Sequence, residues 1–234
     1  MRPTSESTGR GEPVDSELGP VPRYRAAVTS PRGPRRVVVF VSGSGTLLQA
    51  LLDDASSTPE APYRIVGVIS DRSDAYGLER ARAAGVPTAV VALTDFPDRP
   101  AWDEGVARAT EVFKPDLVVL AGFMRIFGRP YLRRFGDRTI NTHPALLPAF
   151  PGAHAVRDAL EHGVKVTGST VIFVDDGVDS GPIVAQRAVE VADGDDESSL
   201  HERIKVVERE QLVDVVGRLT RSGWSVEERK VSIG

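Results

Sequence analysis

The sequence predicts a single doubly wound, mostly parallel α/β sheet that turns antiparallel toward its C-terminal part. Three observations carry this. Strand-like and helix-like segments alternate from Arg36 to Gly122, as βαβ units do. One strand, residues 37–41, is a continuous apolar run of the kind covered on both faces, and another, residues 116–122, is nearly all apolar. After Thr139 the alternation stops, and two longer strand-like runs follow, joined by the loop Asp-Asp-Gly-Val-Asp-Ser.

Taken in order, residues 1–35 are rich in Pro, Gly, Ser, Thr, Glu and Arg and bury too little to offset their ordering entropy. They are expected as a flexible N-terminal extension, with the folded domain over residues 36–234. Val-Val-Val-Phe-Val at 37–41 is the first strand. Ser-Gly-Ser-Gly-Thr follows, then a helix with Leu47, Leu48, Leu51 and Leu52 at helical spacing. Residues 63–70 give a second strand, and 77–85 a helix stopped by Gly85. A third strand is predicted over 88–93, a helix over 99–113 and a fourth strand over 116–122. A short strand at 139–141 and a short helix from Ala155 precede the hairpin of 165–174 and 181–191, in which Ile183, Ala185, Val189 and Val191 share a face. A long helix follows, its Leu200, Ile204, Val207, Leu212, Val215 and Val216 repeating at three and four, with an acidic start and an Arg-containing end that suit the helix dipole. A small hairpin closes the chain.

Bulk properties narrow the function classes. With 234 residues the chain can bury a full core without staples. It has no Cys, which excludes disulfides, thiolate zinc sites and a cysteine nucleophile, and suits a reducing compartment. A formal charge of −4 argues against a general nucleic-acid partner. No apolar run reaches the roughly 20 residues of a membrane span, and the start lacks a secretory signal, so a soluble intracellular protein is expected.

Three stretches suggest chemistry. Gly43 and Gly45 lie between a buried strand and a helix, where backbone N–H groups cradle a phosphate, the plain alternative being a tight turn. Asp71, at the end of the second strand, raises the possibility of a dinucleotide site, but Leu48 replaces the third small residue of that fingerprint. In "INTHPALLPAFPGAHA" (140–155), Asn141 and His143 are two apart on an extended chain and so share a side. At the carboxyl end of a sheet strand both face the ligand crevice. His exchanges protons near neutrality, and Asn stabilises an oxyanion. The alternative is a capped strand end with a solvated His, against which Pro144 and the packed look of Leu146 and Leu147 weigh. His154 has no evident role. Asp175, Asp176 and Asp179 are candidates to orient the His, Asp179 being the most constrained. Finally, "AGFMRIF" (121–127) follows a buried strand, so its side chains either line an apolar pocket with Arg125 as a charged handle or plug the core.

Five segments in register, "VVVFVSGSGTLLQALLD", "GLERARAAGV", "PDLVVLAGFMRIF", "INTHPALLPAFPGAHAVRDAL" and "VTGSTVIFVDDGVDSGPIVAQ", resemble the phosphoribosylglycinamide formyltransferase family over some four fifths of the chain. The resemblance implies a Rossmann-like formyltransferase fold and a cytoplasmic transferase of purine biosynthesis. It implies 10-formyltetrahydrofolate as cosubstrate, glycinamide ribonucleotide as acceptor, and no metal. It also implies Asn141, His143 and Asp179 as the catalytic trio. Gly45, Thr46, Leu47 and Glu208 would hold the ribonucleotide, Glu208 at its ribose. Arg99, Met124, Arg125, Ile126 and Phe127, with Asn141, would hold the folate. The chain departs from many members in carrying Ser44 and Leu47 where they have Asn, which leaves backbone but not side-chain contacts to a phosphate. The rival readings are a tRNA formyltransferase, a formyltetrahydrofolate hydrolase, a nucleotide-binding oxidoreductase and a non-catalytic folate binder. The first two would need further domains that this sequence is not expected to form.

Overall fold

The computed structural model describes residues 33–57 and 59–234; apart from residues 33–35, the predicted N-terminal extension lies outside them. Strand β1 (Arg35–Val41) sends Val37, Val39 and Val41 into one core cluster and Val38 and Phe40 into another. Helices cover both faces, which is why the run is apolar throughout and not alternating. Helix α1 (Thr46–Ser57) buries Leu47, Leu48, Leu51 and Leu52 on one stripe. Strand β2 (Tyr63–Ser70), helix α2 (Tyr76–Ala83) and strand β3 (Thr88–Val90) follow, then α3 (Arg99–Val112) and β4 (Leu117–Leu120). Asp98 caps α3, its carboxylate accepting from the Ala101 amide at 2.8 Å.

The chain continues with α4 (Arg129–Phe135), β5 (Thr139–His143), α5 (Ala155–Glu161), β6 (Val166–Phe173) and β7 (Ile183–Glu190). It ends with α6 (Glu197–Ser222) and a two-stranded hairpin, β8 (Trp224–Glu227) and β9 (Lys230–Ile233). The main sheet runs β3-β2-β1-β4-β5-β6-β7, parallel as far as β5 and antiparallel beyond it. The order reverses at β1, whose neighbours β2 and β4 lead the chain to opposite sides. In such a sheet the ligand crevice opens at the carboxyl ends of those strands.

The fourth strand, expected over 116–122, spans only Leu117–Leu120, and two further elements differ from the sequence reading. The third strand stops at Val90, because its partner β2 ends at Ser70; one further bond, from the Val91 amide to the Ser70 carbonyl, is followed by a 3-10 turn at Leu93–Asp95. Helix α4 was not predicted at all. Its signal is short but readable: Pro130 in the first turn, and Tyr131, Leu132 and Phe135 at three and four. These aromatics matter to the cleft, because Tyr131 stacks on Phe127 with ring centroids 3.8 Å apart, and Phe40 meets Phe123 and Phe127 edge-on. The loop after β4 is thereby anchored from beneath.

Candidate active site

Strand β5 delivers Asn141 and His143 to one side and Thr142 to the other. His143 is 4% exposed, and each ring nitrogen faces an acceptor: Nδ1 lies 3.3 Å from Asp179 Oδ2, and Nε2 lies 2.8 Å from the Phe150 carbonyl. Both partners are acceptors, so whichever ring nitrogen carries a proton has an oxygen to donate it to. Asp179 is the acid the fold selects. Its other oxygen accepts weakly from Asn141 Nδ2 at 3.5 Å, and Oδ2 also accepts the Gly152 amide at 2.8 Å. Asp175 is used within its own loop instead, accepting from the Gly177 amide and the Ser180 hydroxyl. Of the two leucines between Pro144 and Pro148, Leu147 is buried and Leu146 half-buried.

These three side chains open into a cleft of about 330 Å³, which Met124, Arg125 and Ile126 also line. The 121–127 segment divides between the two readings it offered. Phe123 and Phe127 are core, whereas Met124 and Ile126 are 74% and 55% exposed, an apolar rim facing the opening. The segment is tied to the switch point by a polar chain. The Met124 amide donates to Ser42 Oγ, Ser42 donates to Asp71 at 2.7 Å, and Arg125 Nε donates to the other oxygen of Asp71 at 2.8 Å. Asp71 is thus buried with both oxygens occupied, which removes it as a ribose-binding acid and with it the main support for a dinucleotide site.

The glycine loop is a second station at the same edge. Gly45 has φ of +69°, and a Cβ there would meet Gly77 Cα at 2.6 Å, so only glycine lets the loop lie against α2. α1 carries no acid in its first turn, and the amides of Thr46, Leu47 and Leu48 have no intrahelical acceptor by helix geometry. Leu47's side chain is buried in the core, so it offers a ligand its backbone N–H alone. Gly45→Ala is expected to lower stability by at least about 1–2 kcal/mol from the left-handed backbone alone, read as a lower denaturant midpoint at unchanged slope.

Two predicted site residues stand apart from the cleft. Arg99 pairs with Asp103 at 3.6 Å and covers Trp102, reaching the end of the 124–127 segment only through Asp103, which accepts the Gly128 amide. Glu208, on α6, is 5% exposed and lies on the opposite face of the sheet from His143. It accepts from Thr142 Oγ1 at 3.0 Å, and burial pushes its carboxyl up to about 7.

Sequence reasoning missed several groups. Nothing in the sequence marks the Phe150 carbonyl as a histidine partner. His154, given no role, lines the cleft together with His201, whose imidazole is pushed down by burial and by Lys205. Arg80 went unnoticed although it holds the glycine loop, donating to the Ser44 carbonyl at 2.8 Å and to Gln49 at 3.0 Å.

An Asn-His-Asp cluster built on a buried histidine, in the crevice of a doubly wound sheet beside an apolar-rimmed cleft and a glycine loop that opens a helix, defines a group-transfer enzyme acting on a small molecule. The chain belongs to the formyl transferase family, whose model matches residues 35–216. It is 54% identical over 204 residues to a phosphoribosylglycinamide formyltransferase of Mycobacterium tuberculosis, covering 87% of this chain and 94% of that one. It is 41% identical to the enzyme of that name from Escherichia coli, over 74% of this chain and 81% of the other. The solved structure of glycinamide ribonucleotide transformylase 1 from Symbiobacterium toebii superposes with a TM-score of 0.82 at 46% identity, covering 86% of this chain and 94% of that one. Among the described residues no helix is long and apolar enough to cross a membrane.

Proposed function

We propose that this protein transfers the formyl group of 10-formyltetrahydrofolate to the amine of glycinamide ribonucleotide, giving formylglycinamide ribonucleotide and tetrahydrofolate in cytoplasmic purine synthesis. The observation that carries the reading is the Asn141–His143–Asp179 cluster, at the switch-point cleft of a chain so similar to phosphoribosylglycinamide formyltransferases.

The amine nitrogen attacks the formyl carbon and its C=O electrons move to oxygen. The Asn141 amide and protonated His143 donate to that oxygen as its charge develops. The proton leaving the attacking nitrogen passes by way of His143, or a water held by Asp179, to the folate nitrogen, and the bond from carbon to that nitrogen breaks. Asp179 opposite Nδ1 fixes the ring's orientation. Because Nε2 rests on the Phe150 carbonyl, one of the two ring contacts is exchanged when substrate binds; such contacts commonly rearrange between free and bound enzyme.

Around this centre the amides of Gly45, Thr46 and Leu47 take the ribonucleotide phosphate, and Glu208 takes its ribose. The folate lies along Met124–Phe127, with Arg99 at the end of that segment. No step calls for a metal.

The test follows tetrahydrofolate release from 10-formyltetrahydrofolate with and without glycinamide ribonucleotide. Release is expected only with the ribonucleotide. Equal release without it would make the protein a hydrolase and sink the reading.

A further inference from the structure

The C-terminal hairpin lies beyond the span that the family's model matches, residues 35–216, and nothing in the reaction above uses it. Yet it touches the catalytic loop at one point. Arg229, in the turn between β8 and β9, donates through Nη2 to the Ser180 carbonyl at 2.8 Å and to the Gly181 carbonyl at 3.3 Å. These are the two residues that follow Asp179.

We propose that Arg229 is a positioning residue, bracing the 175–181 loop from the C-terminal hairpin so that the Asp179 carboxylate is held against His143. The inference rests on the catalytic reading of Asp179.

That loop needs bracing. Asp179 has φ of +51°, a left-handed conformation unfavourable for a residue with a Cβ, and it persists only where its surroundings hold it. Asp175 ties the loop on one side through Gly177 and Ser180. On the other side Gly181 is pressed so closely onto β6 that a Cβ would lie 1.7 Å from the Phe173 carbonyl oxygen. The Ser180 and Gly181 carbonyls are then turned to where a planar guanidinium donates to both.

The hairpin is itself a firm base for the brace. Trp224 is 4% exposed, packs on Phe173 with ring centroids 5.8 Å apart, and donates from Nε1 to the Asp137 carbonyl. The strands pair through four residues each, from Trp224 opposite Ile233 to Glu227 opposite Lys230. Phe173 is the same residue whose carbonyl abuts Gly181, so β6 links the hairpin's anchor to the loop it braces.

The experiment uses the full chain with Arg229→Ala and Arg229→Lys, and reads two quantities. The first is hydrogen exchange at the Gly152 amide, whose acceptor is Asp179, and across residues 177–182. The second is the split of kcat from KM. Losing a net hydrogen-bond contribution of ordinary size predicts about 3- to 10-fold faster exchange and a similar fall in kcat, with KM for both ligands within about 2-fold. Lysine, which keeps a charged donor for one carbonyl, recovers part of both. Unchanged exchange at Gly152 overturns the brace. Faster exchange with unchanged kcat overturns the catalytic reading of Asp179, and the proposal with it. A fall in kcat that lysine restores without any change in exchange also overturns it.

Discussion

His143→Ala is expected to lower kcat by at least about 1,000-fold, and Asn141→Ala by about 100- to 1,000-fold, with much smaller changes in KM. The size follows from what each group does. A fixed amide donor to a developing oxyanion acts only when the charge appears, so its loss falls on the transition state and not on ground-state binding. His143 combines that role with proton transfer, and its deletion removes both. Asp179→Asn keeps the shape but removes the negative charge facing Nδ1, 3.3 Å away, so the ring loses the carboxylate set against it. It should cost kcat on a similar scale. His143→Ala combined with Asp179→Ala should fall little further than either alone, because the two act as one unit. Single-turnover formyl transfer at saturating ligands measures all of these, with circular dichroism to confirm folding. Activity within a few-fold of the parent for His143→Ala would remove this residue from the mechanism.

The parts of this architecture visible in the sequence are those written as local pattern. β1 and β4 are legible because strands covered on both faces hold unbroken apolar runs, here 37–41 and 117–120, and α1 and α6 because their leucines and valines repeat at helical spacing. Asn141 and His143 are legible as a pair because extended chain puts alternate residues on one side. The antiparallel turn after β5 shows as a change of rhythm.

What stayed hidden is made by contacts distant in sequence. Asp71 reads as a free strand-end acid until β4 brings Arg125 to it and β1 brings Ser42. Leu47 sits in a loop motif but packs as a helix residue, because α1 begins one position before it. The Phe150 carbonyl, the cleft-lining His154 and the Arg229 contacts are backbone or long-range features with no compositional signature. Arg99 and Glu208 came from resemblance alone, and both lie at a remove from the cleft that the catalytic trio lines.

Glu208 should make both stability and ribonucleotide binding depend on pH near neutrality. Its carboxyl, buried beneath β5 against Thr142, is raised by burial to about 7 from an ordinary value of 4.5. Below 4.5 it is neutral in folded and unfolded chains alike. Between 4.5 and about 7 the folded protein holds a proton that the unfolded chain has released. Its contribution to stability is therefore full below 4.5 and is lost as pH rises through 7, a change of roughly 3 kcal/mol at most. Glu208→Gln, which stays neutral, should flatten the fall in denaturation midpoint between pH 5 and 8. Substrate pulls the other way. Ribose hydroxyls donate best to a carboxylate, so binding should favour the charged form, release a proton near pH 7, and tighten as pH rises through that value. Titration calorimetry in two buffers of different ionisation enthalpy would detect the proton. Glu208→Gln should abolish its release and lower kcat/KM for the ribonucleotide by about 10- to 100-fold, the usual worth of a hydrogen bond to a charged group. Binding that is pH-independent in the parent and unaltered in Glu208→Gln would show that the ribose does not reach this carboxylate, which would then serve only to hold Thr142 under the catalytic strand.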